Sequence, residues 1–238
     1  MAEIDNQCTA LRSAAIEAGP DAKVHTCPNW TVSRLVGHLA RVQSWVRSAL
    51  ANPSGENVEG GRPPEGWDDL LSWWDEQRMA MIEELADPGR PAWLLWSRAP
   101  QVAGSWARRQ AHEAAIHRLD AEHARAGSTD PNSVPALLFD PEFAADGIEE
   151  LMDWILPTRG KWHGSTASGS VLLHAADAGR TWTVRVEPDS PPVFEPGGLS
   201  GDLTIAGTAD AVYRRIWGRP SHASVTGELG LLEPLRTP

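Results

Sequence analysis

Residues 107–122 read ARRQAHEAAIHRLDAE and predict an unbroken helix, because the segment lacks Gly and Pro and is rich in strong helix formers. Glu113 and His117 are four residues apart, so they lie one above the other on the same helix face. Such a pair can hold a divalent metal when a third ligand arrives from another helix. His112 lies five residues before His117 and points away, so the segment differs from the HExxH signature of zinc proteases. We expect His112 and His123 on the solvent side of this helix.

The third ligand is expected from a second helix, predicted over about residues 32–51. Its apolar residues recur at helical spacing: Leu35, Leu39, Val42, Trp45, Val46 and Ala49. His38 lies on this stripe, three residues after Leu35 and four before Val42, and should therefore face the interior of a helical bundle. The sequence thus offers His38, Glu113 and His117 as one candidate set of ligands.

Two imidazoles and one carboxylate match the three protein ligands of a catalytic zinc site, which leaves one coordination position open. The same set can also hold Fe²⁺. Asp120, three residues after His117, can orient that imidazole through a hydrogen bond. Spacing alone leaves another interpretation open, in which Glu113 and His117 face water and His38 is a hydrogen-bonded core histidine.

The order of the predicted elements indicates an α+β fold, with helices first and strands afterwards. Further helices are predicted over about 4–19, 67–86, 104–126 and 141–156. After Pro157 the sequence becomes rich in Val, Thr and Ile, which favours strands. Strands are predicted over 170–175, 181–187, 202–206 and 223–226, and one short helix is predicted over 209–217. We therefore predict a helical bundle over 1–157 and a small α+β domain over 165–238. Residues 52–66 form a long Gly- and Pro-rich connector, and such loops are often functional or mobile.

Composition excludes several classes of function. The formal net charge of −11 argues against a nucleic-acid binder, which needs a basic surface. No apolar run is long enough to predict a membrane span, and the first residues are polar and acidic rather than leader-like. The two cysteines have no metal-like spacing, so we expect a reduced, cytoplasmic protein. Nucleophile-elbow, P-loop and dinucleotide-binding motifs are absent from the sequence.

Four stretches of the sequence resemble one family. Residues 30–39 (WTVSRLVGHL) resemble the W-T-V-x-x-L-x-x-H-L helix start of the mycothiol-dependent maleylpyruvate isomerases, in the DinB-like metalloprotein superfamily. Residues 109–120 resemble their R-x-x-H-E-x-x-x-H-R-x-D helix. Residues 209–219 (ADAVYRRIWGR) are similar to their A-D-x-x-x-x-x-W-G-R segment, and 225–232 (VTGELGLL) to V-x-G-D-x-x-L-L, with Glu228 in place of the usual Asp.

The resemblance implies an N-terminal DinB-like up-down helical bundle followed by a small C-terminal sterol-carrier-like α/β domain. It implies that His38, Glu113 and His117 are the metal ligands, with zinc as the usual metal. It also implies that Arg219, the arginine of the W-G-R segment, is a catalytic residue, and that the thiol cosubstrate is mycothiol of actinobacteria. The motifs that match concern the metal and the domain organisation, so the electrophilic substrate is not identified by them.

Three functions remain open at this point. The first is a mycothiol-dependent enzyme in which a metal-bound thiolate attacks a small-molecule electrophile, either a maleylpyruvate-type cis-trans isomerase or a mycothiol S-transferase. In it, Arg219 would bind a substrate carboxylate or stabilise an enolate. The second is a non-catalytic metal- or ligand-binding regulatory protein, and the third is a metal-dependent hydrolase. We expect a monomer or a weak homodimer that binds neither nucleic acid nor membrane.

Overall fold

The computed structural model describes residues 1–237, which divide into two compact units. The first comprises Met1–Leu95 and Ala99–Thr129, and the second comprises Trp96–Arg98 and the residues from Asp130 onward. The first unit is helical, and the second contains a sheet with helices. The predicted α+β fold class, a helical bundle followed by a small α/β unit, is therefore confirmed.

The first unit is a helical bundle of α1 (Ala2–Ala18), α2 (Val32–Ala51), α3 (Trp67–Glu84) and α4 (Ala103–Ala126). The helix α1 packs against α4, and α2 packs against both α3 and α4. The Thr31 hydroxyl accepts a hydrogen bond from the backbone N–H of Arg34 and so caps the start of α2. Gly127 ends α4 in the left-handed conformation, with a φ of 62°, which glycine adopts without strain.

A buried hydrogen-bond chain links three helices of this unit. The Trp74 indole N–H donates to Gln43 Oε1 at 2.9 Å, and Gln43 Nε2 donates to Cys8 Sγ at 3.3 Å. Cys8 and Gln43 are both fully buried. Both ends of the Gln43 amide thus have a protein partner, which removes the cost of burying it.

The two cysteines should differ in reactivity. Burial, only partly offset by the hydrogen bond from Gln43, raises the pKa of Cys8 to about 12. A thiol reacts as its thiolate, so Cys8 should stay unmodified well above neutral pH. We expect Ellman's reagent to label at most one thiol per folded chain at pH 8, and two after denaturation. The variant Cys27→Ser should abolish labelling of the folded protein; rapid labelling of two thiols in the native wild type would contradict the prediction.

The second unit contains α5 (Pro141–Glu150), the π-helical segment Leu151–Ile155, α6 (Leu156–Arg159) and α7 (Ala209–Ile216). Its strands are β1 (Gly169–Ala175), β2 (Arg180–Val186), β3 (Val193–Pro196), β4 (Leu203–Gly207) and β5 (Ser224–Gly227). They form a sheet in the order β3-β2-β1-β4-β5, in which only the β1–β4 pair is parallel among residues 1–237. Leu173 occupies its centre, with Trp182 on one side and Ile205 on the other.

Two details of this unit differ from the sequence prediction. The strand β3 was not predicted, because its four residues lie in a Pro-rich stretch that weakens the strand signal. The predicted helix over 141–156 widens to π geometry, where the Leu156 N–H donates to Leu151 O, five residues back. Pro157 follows directly and has no N–H to continue the regular pattern.

The division between the units lies between Thr129 and Asp130, earlier than the boundary at 157–165 that the sequence predicts. The reason is that α5 packs against α7, so it belongs with the sheet-containing unit. The domain assignment 1–157 and 165–238 stays a prediction about folding units. Within residues 1–237, every helix is too short or too polar to span a bilayer.

Candidate metal centre

Three side chains from two helices meet in the first unit. Glu113 Oε1 lies 3.0 Å from His38 Nε2 and 3.4 Å from His117 Nε2. One ligand atom from each residue lies within 4.8 Å of the other two. His38 comes from α2, whereas Glu113 and His117 come from adjacent turns of α4. The structure thus brings together the three residues that the sequence proposes as ligands; their role as metal ligands stays a prediction.

Arg109 holds the second carboxylate oxygen of Glu113. Its Nη2 atom donates to Glu113 Oε2 at 2.7 Å, one helical turn earlier on α4. Burial by itself would raise the pKa of Glu113, but the charge of Arg109 and the hydrogen bonds of both imidazoles hold that pKa well below its usual range. Glu113 is therefore a carboxylate with one oxygen committed to Arg109 and the other facing the imidazoles.

Asp120 fixes the orientation of the His117 ring. Its carboxylate is fully buried and accepts hydrogen bonds from His117 Nδ1 at 2.9 Å, from the Thr26 hydroxyl at 2.5 Å and from the Cys27 thiol at 3.4 Å. Burial would lower the pKa of His117, but Asp120 and Glu113 on either side raise it to about 9. The two carboxylates therefore attract a positive charge to His117 Nε2.

The donor set fits a divalent cation. Two Nε2 atoms and one carboxylate oxygen are the ligands that Zn²⁺ and Fe²⁺ take in sites with open positions. Because Asp120 engages Nδ1 of His117, the Nε2 atom is the one that remains for a metal, as in many zinc sites. A second group, Cys27, His117 and Asp120, is equally compact. Its atoms are already joined by the hydrogen bonds to Asp120, which a metal there would have to break.

The indole of Trp30 covers the two imidazoles. Its ring centroid is 5.0 Å from that of His38 and 6.0 Å from that of His117, and the Arg34 guanidinium lies 5.5 Å from the indole centroid. Trp30 directly precedes the capping residue of α2, so the helix start positions it beside the ligands. An aromatic ring here reduces the access of water to the ligand atoms and raises the strength of electrostatic interactions among them.

The comparisons with known proteins agree with the resemblance. The family model of the mycothiol maleylpyruvate isomerase N-terminal domain matches residues 1–122, just over half of the chain, and the corresponding C-terminal domain model matches residues 142–234. The chain belongs to the mycothiol maleylpyruvate isomerase family. A comparison with curated proteins gives no match.

Two crystal structures are also similar to this family member: a mycothiol-dependent maleylpyruvate isomerase and a point mutant of that enzyme. In both, the match covers 98% of this chain and 96% of the other, with 17% sequence identity and a TM-score of 0.49. At this level of similarity, the likeness assigns no role to any residue of this family member.

Arg219, the remaining residue that the sequence proposes, lies in the second unit. It follows α7 by three residues, and its Nη1 atom donates to the Trp217 carbonyl at 2.8 Å. Its catalytic role stays a prediction.

The predicted exposure of two other histidines of α4 is wrong. His112 and His123 were expected on the solvent side of the helix, yet both are buried. The helix α4 is covered on nearly every side, and His123 Nδ1 bonds the Ser128 carbonyl at 2.9 Å. A helix that carries charged residues on several faces looks exposed by its sequence, so periodicity alone gave the wrong answer.

Four further residues lie around the candidate ligands and Asp120, and none was proposed as a site residue from the sequence: Thr26, Cys27, Trp30 and Arg109. Arg109 had a usable signal, because it lies four residues before Glu113 on the same helix. Thr26 and Cys27 reach Asp120 across more than 90 residues of sequence, from a loop without a regular pattern.

Replacing Asp120 by Asn should weaken zinc binding by about 10- to 100-fold, because the amide can no longer attract and orient the protonated Nδ1 of His117 as a carboxylate does. The affinity is measured by competition with a chromophoric zinc chelator. The variant Asp75→Asn, which alters an ion pair of α3 with Arg12, serves as the control and should bind zinc as the wild type does. Equal affinity in Asp120→Asn and wild type would contradict the orienting role.

Proposed function

We propose that this protein is a mycothiol-dependent metalloenzyme that adds a thiolate to an electrophilic substrate, with maleylpyruvate-type cis-trans isomerisation as its reaction. The observation that carries the proposal is the convergence of His38, Glu113 and His117 within 4.8 Å of one another. Membership of the mycothiol maleylpyruvate isomerase family supports it. When bound, a divalent cation such as Zn²⁺ would lower the pKa of a coordinating thiol.

Each residue around the ligands has a physical task in this proposal. Arg109 neutralises one oxygen of Glu113, so that the carboxylate stays ionised when it is buried. Asp120 fixes the ring and the tautomer of His117. Trp30 limits the access of water, which favours attack by the thiolate over hydrolysis.

The isomerisation itself needs no net redox change. The thiolate adds to one carbon of the conjugated cis double bond, and the electron pair moves onto the carbonyl oxygen as an enolate. Rotation about the new single bond is then followed by the reverse movement of electrons, which expels the thiolate and leaves the trans product. We propose that Arg219 binds a carboxylate of the substrate or stabilises the enolate charge. An S-transferase would share the attack and then release the thiol adduct.

Turnover of maleylpyruvate by the zinc-loaded protein, with and without mycothiol, tests this function. We expect isomerisation only when the thiol is present, and no accumulation of a thiol adduct. The variant Arg219→Ala should lower kcat/KM by roughly 10- to 100-fold, the value of a charge-assisted hydrogen bond, while zinc stays bound. Thiol-independent turnover would indicate activated water instead, and full activity of Arg219→Ala would remove its proposed role.

A further inference from the structure

Gln110 is a buried polar residue on α4 whose side-chain amide forms no hydrogen bond within the described part of the chain. It is 1% exposed, and within residues 1–237 neither its Oε1 nor its Nε2 atom has a hydrogen-bond partner. A buried primary amide without partners is costly, because it gives up its bonds to water and receives nothing in return. Such a group in a native protein requires an explanation, and a hydrogen-bonding ligand that binds beside it supplies one.

The helix places Gln110 on the same face as the proposed metal ligands. Residues 106, 110, 113 and 117 lie within a sector of about 60° around the axis of α4, and Gln110 is about 4.5 Å along that axis from Glu113. On its other side, the next turn carries Trp106, whose buried ring is 5.2 Å from that of Trp45 on α2. Gln110 therefore lies between the ligand cluster and an aromatic wall.

Gln43 on α2 provides the contrast within the same unit. It is equally buried, but Trp74 donates to its oxygen and its nitrogen donates to Cys8. A glutamine that serves the structure of this bundle is thus bonded at both ends. Gln110 lacks both bonds in the described part of the chain, although it lies on the face that carries the candidate ligands.

We propose that Gln110 is the hydrogen-bonding subsite for an amide group of the thiol cosubstrate, an inference that rests on the proposed function. The Gln110 carboxamide offers an oxygen that accepts hydrogen bonds and an NH₂ group that donates them. A ligand amide can pair with both, because its N–H donates to Oε1 and its C=O accepts from Nε2. A ligand carboxylate would leave Oε1 of Gln110 unpaired, and a hydrocarbon would leave both atoms unpaired. The short distance to Glu113 requires that this amide lie only a few bonds from the sulfur.

Two small thiols that differ at a single atom test the subsite. N-acetylcysteamine carries an amide two carbons from its sulfur, and 2-mercaptoethyl acetate replaces the amide N–H by an ester oxygen. Calorimetric titration of the zinc-loaded wild type should show that the amide binds about tenfold more tightly, as expected for one net hydrogen bond. In Gln110→Leu this preference should vanish, whereas the affinity for zinc itself should not change.

The stability of the thiol-free variants gives an independent measurement. Gln110→Leu should keep or raise the melting temperature, because it replaces an unpaired buried amide by an apolar group of similar size. Gln43→Leu should lower it by a few degrees, because it leaves Trp74 without its acceptor. A fall in Gln110→Leu as large as that in Gln43→Leu would overturn the proposal, since it would mean that the fold itself satisfies Gln110.

The outcomes separate this inference from the function on which it rests. Equal affinity of the wild type for the amide and the ester would overturn the subsite and leave a thiol-binding metal centre intact. Binding of neither thiol to the zinc-loaded wild type would overturn the proposed function and the subsite together. The wild-type comparison needs no variant, so a folding defect in Gln110→Leu would not remove the test.

Discussion

Replacing His117 by Ala should weaken zinc binding by more than about 100-fold. This exceeds the loss that is typical when only a hydrogen-bond partner of a metal ligand, such as Asp120, is altered. The reason is that His117 is the candidate ligand in the most constrained position: its Nδ1 is bonded to buried Asp120 and its Nε2 faces Glu113. His38→Ala should weaken zinc binding similarly, because it removes the candidate ligand contributed by α2. Competition with a chromophoric chelator measures both affinities.

His174 offers a matched control for this experiment. It is exposed on β1 in the second unit, and His174→Ala should bind zinc as tightly as the wild type. The two ligand variants should differ in stability. His117→Ala takes a hydrogen-bond donor from buried Asp120, whereas His38 is about one-third exposed and its loss should be tolerated. Undiminished zinc affinity in His117→Ala would remove the metal centre, and with it the proposed function.

Replacing Arg214 by Met should lower the free energy of unfolding by about 3–5 kcal/mol, the largest loss of stability that we expect from a single substitution. Arg214 and Asp210 form a buried ion pair on α7, with the Arg214 Nε and Nη2 atoms both donating to the carboxylate. Arg214 also donates to the Pro135 carbonyl at 2.7 Å. Its removal would leave the Asp210 charge buried without its counter-ion.

Urea unfolding followed by circular dichroism measures this loss. The variant Arg185→Met is the control, because it breaks an ion pair with Glu195 on the exposed face of β2 and should cost less than about 1 kcal/mol. The double variant Arg214→Met/Asp210→Asn should recover part of the stability, since no charge then stays buried. A change below 1 kcal/mol in Arg214→Met would contradict the assignment of this pair as a stabilising contact of the second unit.

The pairing of Glu113 with His117 could be predicted from the sequence because both lie on one helix. Helix geometry alone fixes the relation between residues four apart, and the composition of 107–122 strongly favours a helix. Thr31 as a helix cap is a similar local feature, since its hydroxyl bonds a backbone group only three residues on. The strands β1 and β2 also follow from a short-range pattern, the local enrichment in Val, Thr and Leu.

Helix periodicity predicts that His38 faces the interior of a bundle, but it does not give the distance from His38 to Glu113. Periodicity indicates which side of α2 is buried, but the distance to a residue 75 positions away depends on how the two helices pack. The contacts of Thr26 and Cys27 with Asp120 had no local signal, because that loop follows no regular pattern. The burial of His112 and His123 also depended on the elements that surround α4, and sequence reasoning missed it.

The sequence by itself determined the helices and most strands, the shared helix face of Glu113 and His117, and the family to which the chain belongs. These depend on backbone geometry within one element or on the order of residues in a motif, so they need no knowledge of packing. Only the tertiary structure decided which carboxylate oxygen of Glu113 faces the imidazoles, which groups hold Asp120, and that Gln110 is left without a partner. Each of these is a balance between burial and hydrogen bonding across separate elements, and it exists only once those elements are packed together.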